Sequence, residues 1–168
     1  MQPNIPRLKH AIEVLEGVVA AKLAFDLADW FTHERQEKPK DEWCGTTACA
    51  MGYCALDKEF TDQGLRLEAR FETPNGSFEC KIVTTIQEFN EIGHCKGYEL
   101  YSASIEYVSP DGVTYRNDWQ PVTKFFSISA DKAADLFHAI SYPVEDRGNP
   151  KAVIAKIKHL IAEFENAI

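Results

Sequence analysis

The sequence predicts an α+β fold: a helical frame from the N- and C-terminal segments, with an antiparallel sheet of about four strands inserted between them. Two observations carry this. Apolar residues recur every three or four positions towards both ends of the chain, and every second position in the middle. Those are the helical and strand periods. The two patterns are also segregated rather than alternating, which argues against a parallel βαβ architecture. The 168 residues suit a single domain, and 45% of them are hydrophobic, enough for a real core.

A first helix is expected over about 7–33. Leu8, Ile12, Leu15, Val18, Val19, Leu23, Leu27 and Trp30 share one face. Pro6 suits its first turn. The stretch "HERQEKPKDE" then reads as a solvated connector. A second helix is expected over about 46–57, with Thr46 as N-cap and Gly45 letting the chain turn into it. It is nearly free of charge, so it should be buried.

The β insertion is expected over about 63–119. Leu65, Leu67, Ala69 and Phe71 alternate with Arg66, Glu68, Arg70 and Glu72 up to "PNGS", and Phe78, Cys80, Ile82 and Thr84 continue the apolar pattern beyond it. Asn75-Gly76 is a strong hairpin signal. A second hairpin runs through Tyr101, Ala103, Ile105 and Tyr107 to "SPDG" and returns through Val113, Tyr115 and Trp119. "EFNEIGHCKG" links the two as a loop. A third helix, over about 129–140, has Ser129 as N-cap, Asp131 in its first turn, and Ala133, Leu136, Phe137 and Ile140 inward. The last helix, about 150–166, carries Val153, Ile154, Ile157, Leu160, Ile161 and Phe164 as its stripe.

The net charge is -8. Lys and Arg do not cluster, so the footprint of a nucleic-acid binder is missing. Residues 61–120 hold 10 acidic against 5 basic residues. Alternation should expose Glu68, Glu72 and Glu79 there, which makes them the candidate binding residues for a basic protein partner. No stretch reaches the roughly 18 apolar residues of a membrane span. The opening "MQPNIPRLKHAIEVLEG" lacks the apolar run of a signal peptide. With an odd number of cysteines, five, the reading is a cytoplasmic protein with reduced thiols.

The stretch "WCGTTACAMGYC", residues 43–54, concentrates the chemistry. A metal reading is disfavoured. Cys44, Cys49 and Cys54 are five apart, and on a helix such positions diverge by about 140°. No metal or cofactor is expected. A nucleophile reading would use Cys44 or Cys49 near a helix N-terminus, with His94 or His138 as base. Nothing in the spacing pairs a thiol with a histidine. A packing reading accounts for the whole motif: Trp43 covers the helix entrance, Thr46 caps, Ala48 and Gly52 allow close approach, and the cysteines act as small hydrophobes.

"WCGTTACAMGYC" resembles a Cys-Gly-Thr-x-x-Cys-x-x-Gly element of small, largely uncharacterised proteins of bacteria and their phages. "KFFSISADKAADLF" is similar to a later Leu-Phe helix segment of the same proteins, with Ser127 where they have glycine. The resemblance implies a shared helical frame with Cys44, Gly45, Thr46, Cys49 and Gly52 as its signature, and a phage or prophage origin. It implies no activity. The expectation is a non-enzymatic binding protein acting on a host protein through its acidic sheet. The alternative is a cysteine-dependent hydrolase or transferase.

Overall fold

Local capping decides where the first helix begins and ends. In a computed structural model that describes residues 2–27, 31–33, 46–85, 87–88, 91–92, 99–117 and 119–166, helix α1 spans Ile5–Ala20. The Asn4 side chain caps it, accepting the Arg7 N–H at 3.1 Å. Leu8, Ala11, Ile12, Leu15 and Val18 are buried. The helix stops well short of residue 33. Lys22 adopts φ 53°. Its N–H bonds the Val19 carbonyl at 3.2 Å, and the Leu23 N–H bonds that of Val18 at 3.1 Å. This is the double closure of a Schellman end, made with lysine in the usual glycine position. The apolar pattern runs past the end because Phe25 and Leu27 still enter the core without being helical.

The second helix also differs from expectation. Phe31–His33 (β1) pairs antiparallel with Thr46–Ala48 (β2), so Thr46 lies in a strand and is not an N-cap. Helix α2 is only Ala50–Ala55, and Cys49 caps it: its Sγ accepts the Gly52 N–H at 3.4 Å. All six residues of α2 are buried. A short α3 (Lys58–Asp62) follows, capped by Asp57, which accepts the Phe60 N–H at 3.1 Å.

The expected sheet of four antiparallel strands follows: β3 (Leu65–Glu72), β4 (Phe78–Val83), β5 (Glu99–Val108) and β6 (Thr114–Tyr115), in the order β4-β3-β5-β6. Leu65, Leu67, Ala69 and Phe71 are fully buried on its inner face, with Ile105 and Tyr107 beside them. In β4 the alternation is reversed from expectation. Glu72 pairs with Phe78, Arg70 with Cys80 and Glu68 with Ile82. Paired residues share a face, so Phe78, Cys80 and Ile82 point outward and Val83 is the buried residue of the strand. The turn sets this register: Thr73 closes on Ser77 at 2.8 Å, and Gly76 takes φ 76°.

Two further ends move. Strand β6 is brief, and Trp119, expected in a strand, instead precedes helix α4 (Gln120–Phe126), whose Pro121 fits the first turn. Helix α5 spans Ala130–Phe137, capped as expected by Ser129, which accepts the Lys132 N–H at 3.3 Å. It stops before a 3-10 turn at Ala139–Ser141, leaving Ile140 78% exposed rather than inward. Helix α6 (Pro150–Glu165) buries Val153, Ile154, Ile157, Leu160 and Ile161.

Helix α1 packs along α6. Lys9 meets Glu165 at 2.8 Å and Lys158 meets Glu16 at 3.1 Å, so the two helices run antiparallel. Helices α2, α3 and α4 lie against the inner strands. Phe60 joins the two groups: its ring meets Phe125 at 5.1 Å, Phe126 at 5.9 Å and His10 at 4.7 Å, all edge-on. The helices thus cover one face of the central strands and leave the opposite face to carry the site.

Candidate functional site

The outer face of the sheet is built by β3, β4 and β5. Strand alternation brings Glu68, Arg70 and Glu72 to it, and the turn register adds Phe78, Cys80 and Ile82. A β-bulge supplies one more side chain. Arg70 pairs with Ser102 but Phe71 with Leu100, so Tyr101 is the extra residue on β5. It stands out from the sheet, 63% exposed.

These residues hold one another in place. The Arg70 guanidinium lies 4.4 Å from the Phe78 ring centre and 5.3 Å from that of Tyr101. The two rings meet at 4.9 Å and 65°. An exposed cation–π contact of this kind contributes about 0.5–1 kcal/mol. Its further effect is order: it fixes rotamer-rich side chains before any partner arrives. Phe78 is 43% exposed and Ile82 38%, so apolar surface continues along β4. Towards the other end of the face, Glu106 is only 3% exposed on its side chain and is neutralised locally. Arg116 Nε donates to it at 2.8 Å, and Arg66 lies 3.8 Å away.

The expected acidic residues divide. Glu68 is half-buried and Glu72 exposed, both on the outer face. Glu79 pairs with Phe71 and therefore lies on the opposite face, 3.7 Å from Lys81. The structure brings Glu68 and Glu72 to one surface and leaves Glu79 off it. It also adds Phe78 and Tyr101, which periodicity placed inward, beside Arg70, which periodicity exposed but did not single out for binding. Asn75-Gly76 offered a clue for Phe78, since the loop it forms sets the register of β4. Tyr101 had no such signal, because the bulge depends on how β5 docks against β3.

Trp43, Cys44, Gly45 and His94 lie outside the described residues. Gly52 and Cys49 are buried in and before α2. Cys49 is 3% exposed and its sulfur serves as the cap acceptor. Burial pushes the Cys54 thiol well above its ordinary value, and Cys49 and Asp57 add to the effect. Neither thiol has the electropositive, accessible surroundings of a nucleophile. His138 uses Nδ1 to accept the Ile140 N–H at 3.1 Å, and its ring sits 5.8 Å from that of Trp119. It therefore serves as the cap of the 3-10 turn. Among the described residues no group of His, Cys, Asp and Glu is arranged to hold a metal ion. No described helix is long and apolar enough to cross a membrane.

No family model, no curated protein and no solved structure matches the chain.

Proposed function

We propose that the protein is a non-enzymatic, cytoplasmic binding protein whose contact surface is the outer sheet face around Arg70, Phe78 and Tyr101. The observation that supports this most is the stack itself. Two aromatic rings, an arginine and the neighbouring Ile82 form one exposed patch on a strand framework. Single exposed apolar residues are ordinary, but a contiguous group with a polar rim is the anatomy of a protein interface. Tyr and Arg are also the residues that most often carry binding energy. Glu68 and Glu72 beside the stack favour a partner that presents basic groups. The resemblance at residues 43–54 and 124–137 makes a phage or prophage protein acting on a host protein the setting of this reading.

A photo-crosslinking residue at position 101, exposed to lysate of the source or host cell, tests it. The expected result is one crosslinked protein with a basic contact surface. Its yield should fall severalfold with Arg70→Ala and more modestly with Glu68→Gln/Glu72→Gln. Diffuse crosslinking that Arg70→Ala does not change would count against the reading.

A further inference from the structure

The edge of β4 away from β3 carries a second inference, independent of the outer-face reading. Strand β4 is the end strand of its sheet, and no described strand pairs with its other side. The hydrogen-bonding direction of each residue follows from the ladder. The Thr73–Ser77 closure is a bonded pair at 2.8 Å, and bonded pairs alternate along an antiparallel ladder. Residues 79, 81 and 83 therefore turn their main-chain groups towards β3. The Val108 N–H bonds the Gly64 carbonyl at 2.9 Å, which gives β3 the matching phase on its β5 side. Phe78, Cys80 and Ile82 consequently aim their main-chain N–H and C=O groups outward from the edge. An edge with exposed apolar side chains is a template for another strand.

We propose that the strand it takes is β4 of a second copy, antiparallel, with the two-fold axis at Cys80. Three features of the sequence "FECKIV" select this occupant and register. With the axis at Cys80, Glu79 of each copy faces Lys81 of the other, and Phe78 faces the other's Ile82. Moving the axis to Glu79 would set two glutamates against each other. Moving it to Lys81 would do the same with two lysines. Moving it by half a residue would place each copy's apolar side chains opposite the other's charges. Cross-strand opposite charges stabilise a pair and like charges directly opposite destabilise it. The Glu79–Lys81 pair already formed within one strand, at 3.7 Å, becomes a ring of four alternating charges. The outward main-chain groups of residues 78, 80 and 82 match those of 82, 80 and 78 in the second copy. The product is a continuous sheet of eight strands with both outer faces on one side. Cys80 is exposed and carries no disulfide, and it would face its counterpart at about 5.5 Å between Cα atoms, the spacing of a bonded antiparallel pair. That Cα spacing falls inside the range disulfides span; the Cβ atoms, about 5.5 Å apart in such a pair, must close by about 1 Å for the bond to form.

Sedimentation velocity over a wide concentration range tests the proposal. The expected result is a reversible monomer–dimer equilibrium. Lys81→Glu should weaken dimerisation about tenfold or more, because two attractive pairs become repulsive. The swap Glu79→Lys/Lys81→Glu should restore it, since the ring of charges is only reversed. Diamide, which takes up the two thiol hydrogens as the sulfurs join, should link the dimer through Cys80, and Cys80→Ser should abolish the link. A wild type that stays monomeric at high micromolar concentration overturns the proposal, as does a dimer insensitive to Lys81→Glu. Lys81→Glu leaves Arg70, Phe78 and Tyr101 in place, so loss of the dimer and loss of partner capture at position 101 are read separately.

Discussion

Ser127 ends α4 in the left-handed region, at φ 55°. An L-residue with a Cβ pays roughly 1–2 kcal/mol for that conformation, and glycine does not. Ser127→Gly should stabilise the protein by about 0.5–1 kcal/mol, the gain being partly offset by a freer unfolded chain. Urea unfolding should show a higher midpoint at unchanged slope; a lower midpoint would mean the serine side chain makes a contact worth more than the strain. At this scale the candidate site was half readable. Glu68 and Glu72 followed from alternation. Cys49 as a cap did not, because threonine caps better than cysteine by intrinsic preference, and only the pairing of Thr46 with His33 removes Thr46 from the helix.

Between elements, the joints are specific. Gly64 links α3 to β3 at φ 93°, and a Cβ there would lie 2.1 Å from the Val108 carbonyl oxygen. The Val108 N–H donates to the Gly64 carbonyl at 2.9 Å, which holds the two backbones together there. Gly64→Ala should therefore cost about 2–4 kcal/mol, through strain and a broken strand start, measured by the same unfolding assay. His10 joins α1 to α3. Its Nδ1 lies 2.9 Å from Glu13 and its Nε2 2.9 Å from Asp57, with Glu59 at 3.6 Å. Both ring nitrogens must donate to satisfy both carboxylates, and only the imidazolium does so. Burial lowers the His10 pKa, but the hydrogen bonds from Glu13 and Asp57 and the charges of Asp57 and Glu59 outweigh it and raise the value above the ordinary 6.5. A raised folded-state pKa means the contribution is fully present below pH 6.5 and lost as pH rises through the folded value. Unfolding free energy should decline across that window, and His10→Gln should flatten the decline. An equal slope in the variant would remove His10 as the cause.

Across the whole molecule, the first and last helices pack together on one side of the sheet. Helices α1 and α6 clasp one another, and α2 sits fully buried. Peptide-mapped maleimide labelling should reflect this: Cys80 reacts readily in the native protein, while Cys49 and Cys54 react only as fast as the chain opens. Rapid native labelling of Cys49 would revive thiol chemistry at α2. The sequence by itself determined the α+β class, the first hairpin, the inner face of β3, the buried stripe of α6 and the Ser129 cap. In each of these, side-chain polarity and local backbone preference point the same way. Only the tertiary structure decided that Phe25 and Leu27 enter the core beyond the end of α1, that α4 forms after Trp119, and that Tyr101 stands proud of the sheet. There the local preferences differ by well under about 1 kcal/mol per residue, while burying one large apolar side chain contributes about 1.5–3 kcal/mol. The packing of Phe25, Leu27 and Phe125 against the core outweighs any local pattern.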